Sequence, residues 1–171
     1  SHTAAALTQL LPHTATVTNP LDYTTPIWGN YERTLPVFEC LLKDGYDSAV
    51  LVQDYPLAGL DESKPCYRAD SDSFITACQT ASIPAAICST LPENLDAETR
   101  GHILQAGVTP MQGIETCMQA ISAAAHYGQK RAALLANPSP PFSAATFIDG
   151  SFRQLDEASA KTILAEAGMS V

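Results

Sequence analysis

The chain has 171 residues and a mass of 18.1 kDa, the size of one ordinary domain with room for a proper core. Apolar residues make up 46% and charged residues 16%, a balance that excludes a disordered tail and a coiled coil. Nine Lys+Arg stand against eighteen Asp+Glu, a net charge of −9 with adjacent bases only at Lys130-Arg131, so nucleic acid is not an expected partner.

In chain order, Thr3 can cap a short helix through Leu11. Ala15-Thr16-Val17-Thr18 then reads as a β-branched strand, halted at Asn19-Pro20. Tyr31, Leu35, Phe38, Leu41 and Leu42 recur at helical spacing between Gly29 and Lys43, with Pro36 as a defect in the pattern. Ser48 to Val52 is a nearly continuous apolar run of strand length, the pattern of a strand covered on both faces. A loop rich in Pro, Gly and acidic residues follows from Asp54 to Arg68, and Asp70 or Ser71 caps a helix through about Thr80. Ile83 to Cys88 is a third strand with Pro84 at its entrance, 96–106 a helix, and 107–111 a short fourth strand. Gly113 to Tyr127 makes a strong helix with Ile114, Cys117, Met118, Ile121 and Ala125 on one face.

The longest apolar runs, four to six residues such as Ile83-Cys88, are too short to span a membrane. No basic-plus-apolar leader opens the chain, so a cytoplasmic location is expected. Five cysteines (40, 66, 78, 88 and 117) match neither a zinc pattern nor a small disulfide framework, and they read as reduced thiols. Four of them sit in apolar segments, whereas Cys66 lies in a polar loop.

Strands alternating with helices specify an α/β fold. The expectation is a three-layer αβα parallel sheet of four to five strands, flavodoxin-like, with 15–18 central between 48–52 and 83–88. Residues 1–136 form this domain, and Asn137 to Pro141 opens a linker through 150. Residues 151–171 hold one amphipathic helix and a strand-like Met169-Ser170-Val171. A helix and half a strand cannot build a core, so they read as the start of a second domain.

Ligands gather at the carboxyl ends of strands in open parallel sheets. Those ends carry Asn19 to Thr25, then Gln53-Asp54-Tyr55, then Ser89-Thr90. Asp22 and Asp54 could pair around magnesium as in a receiver domain, but no lysine follows the last strand and two carboxylates make a poor magnesium site. Thr24-Thr25-Pro26 is a weak version of a phosphate-binding loop, and reads as a turn. No Gly-x-Gly-x-x-Gly, Walker loop or Gly-x-Ser-x-Gly elbow occurs. His13, His102 and His126 read as surface or half-buried residues rather than bases, and Asp61-Glu62 with Asp70-Ser71-Asp72 as a solvated loop running into a helix cap.

Leu10-Leu11-Pro12 followed by Thr16-Val17-Thr18-Asn19-Pro20-Leu21-Asp22 resembles the opening of one domain in the nucleoside-diphosphate-forming acyl-CoA synthetases, relatives of succinyl-CoA synthetase. The likeness continues through Tyr46 to Val52, Ile83-Pro84-Ala85 and Gly107 to Tyr127, in the expected order. Leu155 to Val171 resembles the start of that family's ATP-grasp domain, so the likeness covers nearly the whole chain.

The resemblance implies a CoA-ligase domain lying just ahead of the ATP-grasp domain, in a cytoplasmic acid-thiol ligase. The whole enzyme would use CoA, ATP/ADP and Mg, none of them expected to be bound by this chain alone. It implies a phosphohistidine in a preceding domain; Ser1-His2-Thr3-Ala4 is superficially similar to that motif but has Ala4 in place of its Gly, and reads as a tag remnant or helix lead-in. Asn19 and Asp22 are the residues expected to line the interdomain site, their alternative role being to bond the turn around Pro20. Expected partners are the CoA-binding and ATP-grasp domains of the same protein and a second copy in a homo-oligomer. The alternative is a catalytically silent regulatory or docking domain, as in synthetase-like protein acetyltransferases.

Overall fold

The computed structural model describes residues 2–57, 59, 62–138 and 154–171. It divides into two compact units, Ser1–Arg131 and Ala132–Val171. The first unit opens with α1 (His2–Leu10), followed by an extended segment and a 3-10 turn at Thr25–Ile27. Helix α2 (Tyr31–Leu42), strand β1 (Ala49–Val52), helix α3 (Lys64–Ala81) and strand β2 (Ala85–Ser89) follow. A 3-10 turn at Pro92–Asn94, helix α4 (Ala97–Gln105), strand β3 (Thr109–Gln112) and helix α5 (Ile114–Ala136) complete the order, and α5 crosses the division between the units.

The expected α/β class is present as a small open parallel sheet in the order β1-β2-β3. Ala49 pairs with Ala85 and Val52 with Cys88, while Ala86 pairs with Thr109 and Ser89 with Gln112. Helical crossovers α3 and α4 make the parallel pairing possible. Side chains alternate between faces, as the pleat requires. Leu51 and Ile87 join Phe38, Phe74, Ile75, Leu95 and Ile103 in the main core. Ala86 and Cys88 turn the other way, to Cys117, with Val50, Met111 and Ile121 packed around them.

Two expectations are corrected. Among the described residues the sheet has three strands, not four to five, and 15–18 is not one of them. That segment is extended and alternates in burial, with Ala15 and Val17 packed on the Leu7, Leu11, Ile27, Val37 and Cys40 cluster. Its apolar side chains are satisfied against helices, so β2, directly paired with β1, takes the middle place. Second, α3 begins at Lys64, with Pro65 in the first turn where a missing donor costs nothing. The expected cap Asp70 therefore lies inside the helix, wholly buried.

Helix α2 starts where Asn30 Oδ1 accepts from the Arg33 amide at 3.1 Å, and it runs through Pro36. It meets α3 through a buried hydroxyl pair, Thr34 Oγ1 and Ser73 Oγ at 2.7 Å, and through rings. Phe38 stands edge-on to Tyr23 at 5.2 Å and to Phe74 at 5.6 Å.

In the second unit α6 (Glu157–Glu166) is capped by Asp156, whose Oδ1 accepts from the Ser159 amide at 2.8 Å. Ile163, Leu164 and Met169 are exposed, and 169–171 is not a strand. Most of the expected linker, with residues 151–153, lies outside the described residues. Among the described residues no helix is long and apolar enough to cross a membrane.

Phe38 joins both ring contacts to the main core, so Phe38→Ala should cost about 3–5 kcal/mol, measured as a lowered urea midpoint.

Candidate functional site

The carboxyl ends of the strands are tied together by their own polar residues. Asp54, two residues past β1, accepts from the Thr90 amide at 2.8 Å and from Thr90 Oγ1 at 2.6 Å, just past β2. Burial pushes its pKa up, but the hydrogen bonds from Thr90, Asn94 and Leu91 outweigh this and hold it below the usual carboxylate range. Gln53 Nε2 donates to the Tyr67 carbonyl at 2.7 Å, and the Gly113 amide donates to the Ser89 carbonyl at 2.9 Å. Asp54 is thus occupied as a clamp between strand ends.

Asp22 belongs to a different arrangement. Its Oδ1 accepts from the Thr24 amide at 2.9 Å, closing a tight turn. Thr24 sits at φ 65°, ψ 151°, a region that side chains other than glycine rarely enter. A 3-10 turn follows directly, and the Trp28 amide donates to the Thr25 carbonyl at 3.1 Å. This loop and the end of β1 enclose an open pocket of about 520 Å³, walled by Asp22, Tyr23, Trp28, Val52 and Tyr67. Trp28 and Tyr67 meet edge to face at 4.8 Å. Among the described residues Asp22 is the only charged one that lines it.

Asn19 faces elsewhere. It lines a smaller groove of about 220 Å³ along β1, beside Leu41, Leu42 and Tyr46. The two residues expected to share a site therefore open onto separate cavities. Asp22 and Asp54 do not form a magnesium site either, each being bonded to its own threonine. Among the described residues no group of three or more His, Cys, Asp or Glu could hold a metal ion.

The loop is fixed from below by Asp70. This wholly buried carboxylate accepts from the Tyr23 hydroxyl at 2.9 Å and from the Gly29 amide at 2.9 Å. Burial raises the Asp70 pKa above the ordinary carboxylate value, against the lowering effect of those two bonds. The Tyr23 hydroxyl is raised as well, by burial first and by Asp70 beside it. Tyr55 is pushed up to about 12 by burial. Thr24 Oγ1, Gln53 Oε1 and Ser89 Oγ are among the oxygens buried without a partner among the described residues.

Gly29 is where the loop touches α3. Its φ is +74°, and a Cβ there would lie 2.6 Å from Cys66 Cβ, too close for any side chain. Cys66 is half-buried, while Cys40, Cys78, Cys88 and Cys117 are buried free thiols, as expected of core cysteines. Burial raises Cys78 and Cys88 to about 11, far from the thiolate state that reactivity needs.

The histidines are placed as surface or half-buried residues, with one addition. His102 Nε2 lies 2.6 Å from Asp72 Oδ1, joining α4 to α3 in a contact that the chain order does not announce. The walls formed by Trp28, Tyr23 and Tyr67 were also not singled out from sequence. Their signal was the presence of aromatic residues in otherwise polar loops beside a strand end.

Comparison with protein-family models, curated proteins and solved structures finds no match.

Gly29→Ala should destabilise the protein by roughly 2–4 kcal/mol, from strain at positive φ and overlap with Cys66, and should red-shift Trp28 emission as the loop loosens. Asp70→Asn should act through pH. The folded-state pKa of Asp70 is raised, so its contribution to stability is full below the unfolded value of about 3.9 and is lost as pH rises through the folded value. Asn keeps both bonds, its carbonyl accepting from Gly29 and its amide donating to the Tyr23 oxygen. Urea midpoints measured upward from pH 3.5 should fall in the native chain and stay flatter in the variant.

Proposed function

We propose that this chain is a CoA-ligase-type domain of a nucleoside-diphosphate-forming acyl-CoA synthetase. It helps to build an interdomain site for acyl-phosphate and CoA chemistry and is inactive alone. The observation that carries the reading is the position of the Asp22 turn beside the carboxyl end of β1 in a parallel sheet, where such folds bind their ligands. The likeness of Thr16 to Asp22 and of the later segments to that family supports it.

In this reading Asp22 is an acceptor at the rim of the site, and its turn fixes where the carboxylate stands. The phosphates, the magnesium and the CoA would be held by the CoA-binding and ATP-grasp domains, because among the described residues no basic one lines either cavity beside this loop. The reaction class is acid-thiol ligation in the cytoplasm, with CoA and ATP/ADP as cofactors of the whole enzyme. A flavodoxin-like sheet of four to five strands would need a further strand beside β1 or β3, the two edges of the present sheet. That missing basic lining also favours a second reading, a silent regulatory or docking copy of the same domain.

Labelled ATP and turnover assays separate the two. The isolated chain should neither take up phosphate nor form acyl-CoA, since positioned donors and nucleophile supply most of such catalysis. In the protein with its neighbouring domains, Asp22→Ala should lower kcat/KM roughly tenfold with an unchanged urea midpoint. Asn19→Ala, in the separate groove, should have a smaller effect. Labelling of His2 or any other residue of the isolated chain would overturn the scaffold reading. Full turnover in the Asp22 variant would remove that residue from the site.

A further inference from the structure

The pocket beside β1 is unusual in what it combines. Three aromatic side chains, Tyr23, Trp28 and Tyr67, form walls around a space of about 520 Å³. One carboxylate, Asp22, stands exposed at its rim, and among the described residues no Lys, Arg or His lines it. Val52, at the end of β1, contributes an apolar surface that is 47% exposed.

Each of these features selects the same ligand chemistry. Aromatic faces carry negative charge density and attract cations, most strongly at tryptophan. A carboxylate whose one oxygen is held by the turn keeps its other oxygen for a second charge. The −9 charge of the chain adds an attractive long-range field for cations and a repulsive one for anions. A phosphate or carboxylate ligand would meet Asp22 with no compensating base. A neutral apolar ligand would leave Asp22 unanswered.

We propose that this pocket binds an organic ammonium group, with Asp22 as counter-ion and Trp28 and Tyr67 against its alkyl substituents. The group can be a lysine side chain of a partner protein or a free alkylammonium, which share this chemistry. The inference goes beyond the synthetase reading and does not rest on it, because it needs only the lining of the pocket. Asp70, holding Tyr23 and Gly29 from below, fixes the loop in the binding shape before any ligand arrives.

Trp28 is the only tryptophan of the chain, so its emission reports on the pocket directly. The 171-residue chain is titrated with tetramethylammonium, n-butylammonium and Nα-acetyl-lysine methylamide at constant ionic strength. tert-Butanol, sodium chloride and inorganic phosphate serve as controls. A saturable change with the ammonium compounds and none with the controls is expected. Asp22→Asn should weaken binding about fivefold, because the amide oxygen can still close the turn on Thr24 while the charge is gone.

Tighter binding of the lysine derivative assigns the group to a protein partner, and tighter binding of tetramethylammonium to a small molecule. An equal response to tert-butanol, a response only to phosphate, no saturation by any ammonium compound, or unchanged affinity in Asp22→Asn overturns the proposal. Turnover of the Asp22→Ala variant in the multidomain protein is a separate measurement, so the two readings can fail independently.

Discussion

A single buried carboxylate organises the surface that matters in this protein. Asp70 lies inside α3 with no accessible surface, and among the described residues no cation pairs with it. Burying such a group is costly unless its oxygens are fully used, and here they are taken by the Tyr23 hydroxyl and the Gly29 amide. Both donors belong to the loop that carries Asp22, Thr24 and Trp28. The requirement to satisfy Asp70 therefore sets where that loop stands on the helix layer. Gly29 completes the fit, since the backbone comes so near Cys66 that no Cβ could be accommodated.

The sheet depends on the same economy of partners. Strand β2 is the one strand with neighbours on both sides, and apart from Ala85 at its entrance all its residues are buried. Asp54 and Thr90 fasten its carboxyl end to that of β1. The outer edge of β1 faces the groove lined by Asn19, Pro20 and Leu21 instead of another strand. Ala15 and Val17 pack into the α1 and α2 cluster, so the segment that could have supplied a fourth strand is engaged elsewhere.

These two constraints explain what could be read from the sequence. The runs 48–52 and 83–88 were legible as apolar runs of strand length, and the structure places strands at Ala49–Val52 and Ala85–Ser89; only β2 is covered on both faces, whereas β1 is half-buried and ends at the exposed Val52. The alternation in 15–18 was also real, with Ala15 and Val17 half-buried and Thr16 and Thr18 exposed. A strand is defined by a hydrogen-bonded partner, however, and local pattern carries no information about that. The first half of α3 was hidden for another reason. Its residues 64–69, with Pro65 and the charged Lys64 and Arg68, continue the polar composition of the preceding loop, and Pro65 reads as a breaker although it is tolerated in a first turn. The candidate site was legible only in part. Asp22 stood out because it follows an expected strand, whereas the Trp28–Tyr67 contact joins a loop to helix α3, distant in sequence.

The character of the pocket bears on how the two functional readings relate. A domain that itself gripped phosphate would need donors aimed at the anion, from a helix N-terminus, a glycine-rich loop or a pair of bases. The loop after residue 18 supplies the opposite: an acidic side chain, aromatic rings and a strained threonine whose hydroxyl oxygen is unused. If the chain works within a synthetase, its contribution at this point is to orient a positively charged or proton-bearing group, while other domains hold the anions. If it works as a docking module, the same lining is the recognition surface itself. In both cases the chemistry comes from a carboxylate presented beside aromatic faces, and Asp70 is what keeps that presentation rigid.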